Sequence, residues 1–121
     1  MKNISKYAIG LSAALMAGCT SVVPAPTEQI AVSKAAVANA VSSGAPEFAA
    51  PDMSSAQDKL ARANQAMAAE DYESARWLAE QAQVDADLAA AKARSAKAQK
   101  AVLAVQEDSR VLQEELNRKS K

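Results

Sequence analysis

The chain has 121 residues, half of them hydrophobic but only four aromatic, with 14 basic against 14 acidic side chains, one cysteine and no histidine. A chain of this length holds one domain at most, and its balanced charge indicates neither nucleic acid nor an anionic lipid surface as partner. Without histidine, and with one cysteine, it cannot build internal disulfides, zinc or haem sites of the His and Cys type, or a histidine-dependent catalytic triad.

The first element is an export signal. Lys2 and Lys6 open the chain, an uncharged run follows from Tyr7 to Met16, and Leu15-Met16-Ala17-Gly18-Cys19 closes it. The run is too short to stay in a bilayer as a spanning helix. Small residues before the only cysteine form a lipobox, which resembles the site where lipoprotein signal peptidase cuts once the thiol is diacylated. Residues 1–18 are then a removed signal peptide, and Cys19 becomes the first residue, anchored to a membrane by covalent acyl chains. A buried free thiol behind an ordinary secretory signal is the alternative reading. Thr20 stands where aspartate resembles an inner-membrane retention signal, which implies transfer to the outer membrane, facing the periplasm. Loss of Lys2 and Lys6 leaves the mature chain slightly acidic.

Residues 19–26 form the lipidated tether, held extended by Pro24 and Pro26. The helical domain follows over residues 27–121. A first helix is expected over about 27–42, with Thr27 as N-cap and Ile30, Lys34, Val37 and Val41 along one face. Gly44 and Pro46 end it, and a loop runs to Pro51 in which Phe48 folds back over a helix end. The second helix, about 53–69, starts at the capping-box sequence Ser54-Ser55-Ala56-Gln57. It buries Ala56, Leu60, Ala63 and Met67 and pairs Asp58 with Arg62 on its outer face.

A tight turn at Glu70-Asp71 leads into a third helix over about 71–118, free of Gly and Pro and about 70 Å long at 1.5 Å per residue. Two apolar series run along it. Ala75, Ala79, Ala82, Ala86, Ala89, Ala93 and Ala96 allow another backbone to approach closely. Trp77, Val84, Leu88, Ala91, Ala98, Val102, Val105, Leu112 and Leu116 form a heptad-like seam on another face, broken by Ser95 and Ser109. The fold expected is all-α: an antiparallel helical hairpin or three-helix bundle with one long C-terminal helix. Since alanine buries little surface, stability must come from close packing and helix propensity.

Lys59 to Ala63, then Met67 to Arg76, then Leu78 to Ala82, with the loop Gly44 to Pro51, resemble the domain-of-unknown-function 4398 family of helical envelope lipoproteins in proteobacteria. The likeness covers roughly residues 27–98. Members often carry a peptidoglycan-binding domain of the kind found in outer-membrane protein A, which is not found in this chain. The family brings no catalytic residues to carry over. Asp71-Tyr72 with Ala75, Ala79 and Ala82 is also similar to one tetratricopeptide turn, but Glu70 stands where glycine is expected and no second repeat follows, so a single hairpin is the reading.

Tyr72 and Trp77 read as packing anchors, with a ligand platform as the alternative. Lys92, Arg94, Lys97 and Lys100 form a basic block that could meet anionic groups of lipopolysaccharide or the wall, or simply be a solvated face. The carboxylates lie on exposed helix positions without the enclosure that separates catalytic pKa values, so no enzyme is expected, and no cofactor or metal. The function expected is a structural or protein-interaction module. Val102, Val105, Leu112 and Leu116 are its seam for self-association or a partner helix. Alternatives are a non-enzymatic accessory subunit, or a peptidoglycan linker like murein lipoprotein, joined through the terminal Lys121.

Overall fold

The structure, a computed structural model, describes residues 24–120. Four helices follow one another: α1 (Thr27–Ser43), α2 (Ala45–Phe48), α3 (Ala50–Ala68) and α4 (Tyr72–Lys119), with no strand among the described residues. The fold is all-α, with one long C-terminal helix, as the sequence predicts. The signal peptide, Cys19 and Lys121 lie outside the described residues.

The direction of each helix follows from what it buries. Ile30 and Ala63 cluster with Leu78 and Ala79 at one end, while Ala40, Met53 and Ala56 cluster with Ala86, Ala89, Ala90 and Ala93 at the other. Thus α1 runs with α4, and α3 runs against it. Two ion pairs fix the α3 register: Lys59 Nζ lies 2.7 Å from Asp85, and Lys92 Nζ lies 2.8 Å from Asp52. Seven residues along one helix correspond to seven back along the other, as an antiparallel pair requires. Ser55 also donates to Asp85, at 2.6 Å. The Asp85 carboxyl is held below its ordinary value by the Lys59 hydrogen bond first and the Ser55 hydroxyl second.

The core consists mostly of alanine. Ala75, Ala79, Ala82, Ala86, Ala89 and Ala93 of α4 are fully buried, and Ala96 is half-buried where the cover ends. This matches the predicted stripe and lets α1 and α3 both lie close to the α4 backbone. Larger buried side chains are few, chiefly Ile30, Met53 and Leu78.

Local expectations fail at the helix starts. Thr27 is not an N-cap: α1 begins on it, with Pro26 in the cap position and no side-chain cap. Its buried face is Ile30, Ser33 and Ala40, while Val41 is 48% exposed. The alanine interface selects small residues, so Ser33 goes inside, its hydroxyl donating to the Ile30 carbonyl at 3.0 Å, and the branched Val41 stays out. Ser54-Ser55-Ala56-Gln57 is not a capping box either, because α3 is already a turn old there. Pro46 and Pro51 read as breakers, yet each occupies the first turn of a helix, where its fixed φ is favourable and its missing N–H costs nothing. The expected loop is therefore one helical turn, α2, set off by Gly44 at φ +90°. Phe48 does fold back, half-buried against the Ala40 and Ala45 cluster.

The second turn uses an L residue in the left-handed region: Glu70 has φ +61°. Asp71 then caps α4, accepting from the Ser74 amide at 3.1 Å; the Ser74 hydroxyl first and this amide second hold its carboxyl below the ordinary value.

Candidate functional site

The second apolar series lies opposite the buried stripe and faces solvent. Its large members range from 45% exposed at Leu88 to 68% at Leu116, and Trp77 is 61% exposed. Trp77 is therefore not a packing anchor. The alanine stripe leaves no room for an indole, and only Tyr72 is half-buried near the turn.

With Gln81 included, the series advances in unbroken steps of four and three: Trp77, Gln81, Val84, Leu88, Ala91, Ser95, Ala98, Val102, Val105, Ser109, Leu112, Leu116. It spans about 58 Å of helix. Ser95 and Ser109 are polar members of the repeat, and they do not interrupt its period. A strict seven-residue repeat drifts by about 20° per heptad on a straight helix, so it remains a single contact line only when two helices supercoil around each other. Sequence reasoning identified the seam but missed Gln81, whose signal was its place in the period.

Beyond Ala96 the seam is not covered by any of the described residues. Every residue from Lys97 to Ser120 is exposed, and past Lys100, whose ammonium still reaches the Phe48 ring, the last five turns of α4 project beyond the hairpin. Local interactions hold them helical. Arg110 bonds Glu107 at 2.6 Å on one side and Glu114 on the other. On α3 Asp58 and Arg62 pair as expected, at 3.7 Å.

The basic block does not converge on one point. Lys92 is spent on Asp52, the Lys97 and Lys100 ammoniums lie 5.9 and 6.0 Å from the Phe48 ring centre, and Arg94 reaches the Ser43 hydroxyl at 3.4 Å. A shallow open hollow beside Trp77 is lined by Glu73, Ser74, Arg76 and Glu80, a strip of solvent-facing helix without an enclosing wall. Among the described residues no three metal-ligating side chains come together, and no helix is long and apolar enough to cross a membrane.

The family model described as Domain of unknown function (DUF4398) matches residues 28–105. The chain belongs to this family. The match takes in the hairpin and stops partway along the projecting end of α4. Among solved structures, the chain is similar to a crystal structure of a DUF4398 family protein from Pseudomonas aeruginosa PAO1. The two share 38% identity over 78% of this chain and 98% of that one, with a TM-score of 0.72. No functionally curated protein matches the chain.

Proposed function

We propose that this DUF4398 member is a lipid-anchored outer-membrane lipoprotein that faces the periplasm and serves, without catalysis, as a docking module for another helix. The observation that carries the reading is an inversion. The interior is lined with alanine while Trp, Val and Leu stand outside in a seven-residue repeat. Side chains of that size, kept out of the protein's own core, gain free energy only by leaving water against something else.

The fold gives the anchor and the seam a consistent geometry. Ile30, in the first turn of α1, packs beside Leu78 close to the start of α4, and α1 runs with α4. An acylated Cys19 would therefore hold the Asp71 turn near the membrane and aim residues 98–119 away from it. The basic block would stand on the order of 30 Å up α4 from that turn, which speaks for a solvated or protein-facing role over contact with lipid phosphates.

Cell fractionation tests the anchor. The wild type is expected in the outer membrane and Cys19→Ser outside it. A correctly processed Cys19→Ser protein that still fractionates with the outer membrane would overturn the anchor.

A further inference from the structure

We propose that the helix docked on the seam is α4 of a second copy of this chain, running parallel and in register from Trp77 to Leu116. The inference rests on the docking reading above and names its partner.

The polar members of the seam distinguish the two possible orientations. In a parallel pair in register, each position meets itself, so Gln81 faces Gln81, Ser109 faces Ser109, and Val102, Val105, Leu112 and Leu116 all meet apolar equals. The Ser109 hydroxyl already donates to the Val105 carbonyl at 2.8 Å, so burying it strands no donor. An antiparallel pair of the same full length would place Gln81 against Leu112 and Ser109 against Val84, a polar group on an apolar one in both layers.

Charge beside the seam points the same way. The full-length antiparallel pairing sets Asp87 against Asp108 and Glu80 against Glu115, each twice by symmetry. In the parallel pairing, flanking residues meet five positions on, so Asp87 of each copy meets Lys92 of the other, whose ammonium Asp52 already holds, and no like charges are brought together there. Glu80 meets Asp85, but that carboxylate is already neutralised by Lys59. Farther along, the flanking positions are Gln99, Gln106 and Gln113, which repel nothing.

Space permits the assembly. α1 and α3 cover the alanine face of α4, opposite the seam, so both hairpins would remain on the outside of the pair. The seam and its flanks would bring on the order of twenty residues from each copy into contact, the size of a specific interface. A parallel pair also sends both tethers to the same side, where two anchors can share one membrane.

Single cysteines at Val84, Val105 and Leu112 in the full-length chain, oxidised in intact cells, test this. In the parallel register all three give a disulfide-linked dimer, and Lys100→Cys, off the seam, gives none. Crosslinking at one seam position alone would overturn the parallel arrangement, because an antiparallel pair brings a residue near its own copy only at the two-fold axis. Seam cysteines captured only by a different protein would overturn the second copy and leave the docking reading standing; a monomer with no crosslinked neighbour would overturn both. Leu112→Asp in the Val84→Cys background lies outside the hairpin, so α1 to α3 still fold. Burying two like charges should weaken association about a hundredfold or more, and an undiminished dimer would overturn the proposal.

Discussion

Ala86 and Leu112 lie on one unbroken helix and invert the usual relation between size and burial. At Ala86 the helix is covered on one face by α1 and α3 and contributes only a methyl group; at Leu112 it contributes a branched side chain that none of the described residues covers. The first half of α4 is specified by how closely backbones can approach, and the second half by what it displays. Shared sequence features, helix propensity and freedom from Gly and Pro, say only that both halves are helical. The difference lies in which residue sizes occupy the repeat.

Truncating a large side chain in each half separates the two directly. Met53 packs from α3 into the alanine cluster and is 2% exposed, so Met53→Ala is expected to cost about 2–5 kcal/mol in urea unfolding. Leu112→Ala at dilution should change that measurement by no more than about 0.5 kcal/mol. Comparable losses at both sites would mean that the exposed half is part of the folded core.

The turn between α3 and α4 offers a smaller effect of opposite sign. An L residue at φ +61° carries a strain of about 1 kcal/mol that glycine does not. Glu70→Gly should therefore raise the melting temperature of the hairpin while leaving association through the seam unchanged. An unchanged or lowered melting temperature would show that the Glu70 side chain contributes something the turn geometry conceals.

The Asp85 contacts give the smallest effect, and one that depends on pH. The folded state holds this carboxyl below its ordinary value, chiefly through Lys59, so its contribution is present above the unfolded value near 3.8 and fades as pH falls through the lower folded value. Both side chains of the ion pair are about a quarter exposed, which keeps the contribution to about 1 kcal/mol or less. Asp85→Asn should melt below wild type at neutral pH, and the gap should close in acid. A gap that widens in acid would contradict the sign.

Much of the long helix was legible because its two faces each repeat every seven residues without a break. Ala75 through Ala93 were assigned to the core on that pattern, and the structure buries them. The resemblance to the DUF4398 family was legible from the run around Asp71-Tyr72. What failed was chemistry that reads two ways. Pro46 and Pro51 are breakers within a helix but starters in its first turn, and nothing local to Ser54 says that a helix already precedes it. The α1 phase slipped by one position because hydrophobicity predicted Val41 inside, whereas an interface built for close approach admits Ser33 and Ala40 instead. Trp77 was misassigned for the same reason: an aromatic in an alanine-rich chain looks like its core, and here it begins the exposed seam.

Amide hydrogen exchange across α4, followed as protein concentration is raised, tests the central claim most directly. In the covered half, around Ala79 to Ala93, protection comes from the chain's own hairpin. In residues 101–119 it should be weak at dilution and rise with concentration, as the seam finds a second copy. Exchange in residues 101–119 that stays fast at every concentration would contradict the account.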